Sequence, residues 1–231
     1  TQHTRFRVLV PLACLLWLFP TVSLIEVCAL KTGKIIYTPL MLRRSAEALI
    51  NGHDYKRHYQ WVAYADISPT LTRAVMASED NLFATHKGFS EQAIQRALKE
   101  RKEGKVRHGG STISQQTAKN VFTFGTRTYW RKAREAWFTV LIEQVWGKER
   151  IMEVYLNVVE MGPGIYGTES AARHYFDKHA SELQMADATS LACCLPNPLK
   201  RTPDWARKHM ASRRNAIARI TTQLEYPDWI E

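Results

Sequence analysis

Apolar residues along this chain follow two different patterns. From residue 8 to residue 25 the sequence reads VLVPLACLLWLFPTVSLI, eighteen positions without a charge. That length can span the hydrocarbon of a bilayer and exceeds most signal-peptide cores. A cleaved leader would end in small residues, whereas this run ends at bulky Ile25 and is followed by charged Glu26 and bulky Val27, so the pattern predicts one uncleaved transmembrane helix. Arg5 and Arg7 ahead of it favour a cytoplasmic N-terminus, and Lys31 and Lys34 beyond it pull the other way.

After the apolar run the spacing changes to three and four residues, the period of amphipathic helices. TPLMLRRSAEALI places Leu42, Ala46 and Leu49 on one face with Arg43 and Arg44 beside it. Such a helix suits lipid headgroups or an ordinary protein surface. DISPTLTRAVMASED starts with Ser68 as cap and Pro69 at the first helical position, aligns Leu71, Val75 and Ser78, and puts Glu79 in the last turn. SEQAIQRALKERKEGK predicts a charged helix between Ser90 and Gly104, and a polar helix begins near Thr112 after the turn Gly109–Gly110. The strongest signal, residues 126–159, divides at Gly147 into two helices. Trp137, Val140, Leu141 and Val145 are the expected core face of the first, and Ile151, Tyr155 and Val158 that of the second. EMGPGIYG reads as a loop, TESAARHYF as a short helix, and SELQMADATSLACCL as a helix opened by a Ser181/Gln184 capping box. A last helix over residues 204–224 carries Arg207, Lys208, Arg213, Arg214 and Arg219 as a solvated basic face. Period-two alternation is almost absent, so the fold class is mainly α.

Composition narrows the function classes. With 231 residues, 45% of them hydrophobic, the chain can bury one sizeable core, and nothing suggests a disordered or collagen-like protein. A net charge of +10 points to an anionic partner: nucleic acid, acidic lipid or a phosphorylated substrate. Cys14 and Cys28 would lie about 21 Å apart along one helix and cannot pair there. Cys193 and Cys194 read as small buried hydrophobes, and no Cys/His spacing suggests a metal site.

Two carboxylates stand apart from the rest. Glu79 sits at a helix C-terminus, beside Asp80 and before apolar Leu82 and Phe83, surroundings that push its pKa up toward the range of a general base. Glu135, in RKARE, faces Arg131 one turn earlier, the spacing of a helical ion pair. Around it Lys119, Arg127, Arg131 and Lys132 are interleaved with Gln115, Gln116 and Asn120, a set able to grip several phosphate oxygens. A glycosidase expels a sugar alkoxide and needs a general acid, whereas a pyrophosphate leaving group needs cations. One poised carboxylate plus a basic, amide-rich cluster therefore fits sugar transfer from a lipid pyrophosphate better than hydrolysis. A glycan-cleaving enzyme and a non-enzymatic module binding anionic lipid or nucleic acid are the alternatives.

Between residues 60 and 200 the chain resembles the peptidoglycan glycosyltransferase family, and within it the monofunctional, membrane-anchored branch. The ordered segments SEDNLFATHKG, GGSTISQQTAKN, RKARE, KERIMEVYLN, GIYGTESAARHYF and LPNP carry the likeness. The resemblance implies a lysozyme-like head lobe with a smaller membrane-facing jaw lobe. Together with the apolar run it divides the chain into a stub and anchor (1–30), a juxtamembrane helical segment (31–59) and a glycosyltransferase domain (60–231). It makes Glu79 the base that deprotonates the acceptor 4-hydroxyl and Glu135 the carboxylate of the donor site. Lys119, Arg127, Arg131 and Lys132 become phosphate contacts, with Ser111, Gln115, Gln116 and Asn120 lining the same cleft, and Phe83 and His86 shaping it. The implied substrates are lipid II and lipid-linked glycan chains, joined by β-1,4 links with inversion. No cofactor is obligatory, although a divalent cation, Mg or Mn, could serve the pyrophosphate site. The implied setting is the bacterial cytoplasmic membrane, catalytic domain on the periplasmic side, with other cell-wall synthesis and division proteins as partners and no nucleic acid.

Overall fold

The computed structural model describes residues 17–104, 110–125 and 128–230. Helices dominate: α1 (residues 17–29), α2 (Pro39–Ile50), α3 (Pro69–Glu79), α4 (Glu91–Lys102), α5 (Ile113–Phe122), α6 (Tyr129–Val145), α7 (Lys148–Val158), α8 (Thr168–Phe176), α9 (Met185–Cys194), α10 (Pro203–His209) and α11 (Ala211–Gln223). Their starts follow local chemistry. Thr38 and Thr128 each accept the backbone N–H three residues on, at 3.2 Å, and Pro39 and Pro69 occupy first-turn positions. Thr112 and Gln115 form a reciprocal capping box on α5.

α5 packs on α6 and α7, while α3 packs on α9 and α11, and α2 crosses onto α5. Leu71, Val75, Ile113, Phe138, Ile142, Ile151, Tyr155 and Leu191 meet in the core. Each such apolar side chain contributes about 1.5–3 kcal/mol when fully buried. Phe122 and Phe138 stack at 4.4 Å and join α5 to α6. Asn157, in the last turn of α7, accepts the Val62 N–H at 2.9 Å and donates to the Val62 carbonyl at 3.0 Å, which pins the segment leading into α3.

Several expectations from the spacing need correction. EMGPGIYG is not a loop: β2 (Glu160–Gly162) and β3 (Ile165–Tyr166) pair antiparallel, and β1 (His58–Tyr59) joins β3 in parallel, giving the order β1-β3-β2. The fully buried residues of α6 are Glu135, Phe138, Thr139 and Ile142, with Leu141 and Val145 packed against the core as expected. Trp137 and Val140 remain 37% and 41% exposed, because α5 meets the helix one position round. α9 starts four residues later than Ser181, on a Gln184/Asp187 capping box, and Ser181 lies in a 3-10 turn. The last helix breaks at Met210 into α10 and α11. Its basic face is not all solvated, since Arg213 and Arg214 are half-buried. Cys193 and Cys194 are buried as expected, while Cys14 lies outside the described residues.

Residues 8–16 of the long apolar run also lie outside the described residues, and among those described no helix is long and apolar enough to cross a membrane. The rest of the run forms α1, which rests on the helical body. Val27 is buried, and its carbonyl accepts from Trp146 Nε1 at 2.7 Å. Phe19 touches the rings of Trp137 and Phe138 at 6.0 and 6.5 Å.

Candidate active site

Glu79 is the last residue of α3, and the chain leaves the helix at Asp80 in an extended conformation. That exit separates the two acids. The buried Asp80 carboxylate accepts from the Ile113 N–H at 2.9 Å and from His86 Nε2 at 2.9 Å. Gly88 N–H donates to His86 Nδ1 at 3.0 Å, which leaves Nε2 as the protonated nitrogen. Asp80 thus ties the end of α3 to the start of α5, and Phe83, fully buried with its ring edge-on to His86, fills the space beneath.

Glu79 points elsewhere. Gln116 Nε2 donates to its Oε2 at 3.2 Å. The Tyr155 hydroxyl lies 3.4 Å from Gln116 Oε1, which fixes which end of the amide faces the carboxylate. The Ser78 hydroxyl lies 3.3 Å from Glu79 Oε1. Burial raises the Glu79 pKa, opposed by the Gln116 hydrogen bond, the positive charge of Arg213, the Ser78 hydroxyl and Lys119. Loss of water, more than the neighbouring Asp80, supplies the basicity that the sequence suggests.

From Gln116 the site opens into a cavity of about 360 Å³. Lys119 and Asn120 line it from α5 and Arg131 from α6, with Arg43 and Arg44 from α2 and Glu160 from β2. The 195–199 segment, LPNPL, closes it with Asn197 between prolines. Glu135 is buried behind this wall and holds two cations, Arg131 Nη1 at 2.8 Å and the Lys132 ammonium. Lys119 has an open surface, yet protein crowds it on most sides. That desolvation lowers its pKa, with Glu135 acting against it and the cations Arg131 and Lys132 acting with it.

The expected site residues are therefore partly gathered. Glu79, Gln116, Lys119, Asn120, Arg131, Lys132 and Glu135 form one continuous network with the cavity. Ser111 contributes its carbonyl, 3.5 Å from Gln116 Nε2. The Gln115 side chain caps α5, accepting the Thr112 N–H at 3.0 Å, and does not line the cavity. Arg127 lies outside the described residues.

Four participants escaped the sequence reading. Arg44 grips Glu160 through Nε at 3.2 Å and Nη2 at 2.9 Å, and Asn197 and Arg213 approach from elements far along the chain. Glu160 carried one usable signal, a lone acid in the apolar stretch VVEMG. Arg44 carried none that separates it from a surface arginine. Chemically, the arrangement offers one desolvated carboxylate able to take a proton, next to a chamber of fixed cations able to receive an anion.

The family model described as Transglycosylase matches residues 46–222. A Caulobacter vibrioides protein named biosynthetic peptidoglycan transglycosylase is 48% identical over 184 residues, 80% of this chain and 78% of the relative. Proteins of the same name from Salmonella arizonae and Bacteroides thetaiotaomicron are 46% and 42% identical. Those matches span 81% and 89% of this chain, and 78% and 83% of the relatives.

Proposed function

This chain belongs to the transglycosylase family and polymerises glycan strands in peptidoglycan synthesis, and we propose that it does so with Glu79 as general base and the cationic cavity as the cradle of the leaving pyrophosphate. One observation carries this reading: Gln116 both holds the Glu79 carboxylate and lines the chamber that contains Lys119 and Arg131. Proton acceptor and anion receptor are joined by a single side chain.

In the proposed step, Glu79 takes the proton from the 4-hydroxyl of the acceptor N-acetylglucosamine of lipid II. The oxygen forms a bond to C1 of the donor's N-acetylmuramic acid as the bond from C1 to pyrophosphate breaks. Attack from the opposite face inverts that carbon and leaves a β-1,4 link. The released undecaprenyl pyrophosphate carries its charge to Lys119 and Arg131, with Asn120 as a neutral donor. Arginine forks suit phosphate oxygens, and fixed cations in a desolvated cleft cost no reorganisation as charge develops. Glu135 serves by orienting Arg131 and Lys132. Each Glu135 oxygen accepts from one of the two cations. Charge stabilisation in this scheme comes from side-chain cations.

A lysozyme-like division into head and jaw, a single-pass anchor and a periplasmic catalytic domain complete the proposal. The uncharged run over residues 8–25 supports the anchor, and the lipid-linked substrate requires a membrane within reach. Wall-synthesis and division proteins are the proposed partners on the ground of shared substrate.

Lys119→Met tests the cradle. Polymerisation of labelled lipid II, followed on a gel, should slow by about 100-fold, the scale of losing one charge-stabilising group. A folded variant within threefold of wild type would remove Lys119 from the leaving-group site.

A further inference from the structure

The guanidinium of Arg213, on α11, lies against the end of α3. Its Nη2 donates to the Ser78 hydroxyl at 3.3 Å. That hydroxyl in turn has two acceptors within reach, Glu79 Oε1 at 3.3 Å and the Ala192 carbonyl at 3.2 Å. Arg213 makes no ion pair among the described residues, and its Nε is buried without a hydrogen-bond partner. A half-buried cation without a counter-ion of its own is screened poorly, so its field reaches the next carboxylate.

We propose that Arg213 is a positioning residue for the base, acting on Glu79 through the Ser78 hydroxyl and through its own positive charge to keep the carboxylate ionised and in place. The hydroxyl settles the division of labour. With Arg213 donating to the Ser78 oxygen, the single Ser78 proton is left for Glu79 or Ala192, and a full negative charge on Glu79 competes best for it. This rests on Glu79 being the base.

The other groups around Glu79 are accounted for. α5 presents Gln116 and Lys119, which favour its ionised form. α7 presents Tyr155, whose own ionisation is suppressed by burial and then by Glu79 and Asp80. On α9, burial raises the Cys193 pKa, and the positive charges of Arg213, Arg214 and Arg201 oppose it. Asp228, on the 3-10 turn that also packs on α3, is exposed. Arg73, on α3 itself, is occupied by the Tyr226 ring at 5.2 Å. Burial pushes the Glu79 pKa up and Arg213 pulls it down, so removing the positive charge must raise it.

Two measurements on the full-length protein in detergent test this: kcat/KM for lipid II against pH, and the 13C titration of the Glu79 carboxyl, assigned by its absence in Glu79→Gln. In Arg213→Met both the acid limb and the titration should move to higher pH. Activity would then fall about tenfold on the acid side and recover to near wild type on the alkaline side. Arg213→Lys keeps the charge and should keep both midpoints. An equal loss at every pH, with the carboxyl titrating as in wild type, would reduce Arg213 to packing and overturn the inference. If Arg213→Met does not fold, Ser78→Ala must move the same titration upward, and an unmoved midpoint overturns the inference too. A shifted titration in a protein whose Glu79→Gln form still polymerises would uphold the coupling and defeat the base assignment, so the two claims fail separately.

Discussion

Glu79 and Asp80 are adjacent in sequence and bonded in opposite directions, Glu79 toward Gln116 and the cavity, Asp80 toward His86 and the first amide of α5. The helix end between them was legible in the sequence, because Pro69, the Leu71/Val75 stripe and the polar exit define α3. Their partners were not, since Gln116 lies 37 residues from Glu79, and Arg213 135 residues from Ser78. Hydrogen bonds of that span leave no periodic trace. Asp80 holds structure rather than substrate, so Asp80→Ala should lower unfolding free energy by about 2–3 kcal/mol, the scale of losing hydrogen bonds to a buried charge. Urea denaturation reads this directly. A change below 0.5 kcal/mol, a threshold set by the usual scatter of about ±0.5 kcal/mol at surface sites, would contradict the role.

Among the elements, long helices were readable and short strands were not. α7 buries Ile151, Tyr155 and Val158 as its spacing predicts. β2 and β3, three and two residues long, are too short to show a period of two. On α6 the spacing is half right: Leu141 and Val145 pack against the core, while Trp137 and Val140 stay exposed and Phe138, stacked on Phe122, lies at the centre of the buried side. The turn from β3 into α8 depends on Gly167, at φ +78°, where a Cβ would lie 2.4 Å from the Asn157 carbonyl oxygen. Backbone cannot withdraw from such a contact cheaply, and the same Asn157 pins the Val62 segment. Gly167→Ala should therefore destabilise by on the order of 3 kcal/mol, visible as a lower Tm. An unchanged Tm would show that the turn relaxes freely.

Across the whole molecule the candidate site is an assembly of distant pieces: α2, α5, α6, β2 and the LPNPL segment converge on one cavity. The basic cluster of α5 and α6 was visible in the sequence because its members fall close together, whereas the α2 wall was not. Arg44 and Glu160 are 116 residues apart, and their pairing turns a helix that reads as surface or lipid-facing into part of the cleft. Glu160 is buried while Arg44 is partly exposed. Arg44→Met should accordingly cost about 3 kcal/mol by stranding the carboxylate, and adding Glu160→Gln to it should restore most of the loss. Additive losses in that cycle would mean that the pair is not coupled. The account as a whole depends on one desolvated carboxylate taking the acceptor proton beside a cationic chamber. Polymerisation of labelled lipid II by folded Glu79→Gln tests that most directly, because the amide keeps the shape and cannot accept the proton. The rate should fall by at least about 100-fold, as expected for loss of a general base; a rate within about tenfold of wild type would contradict it.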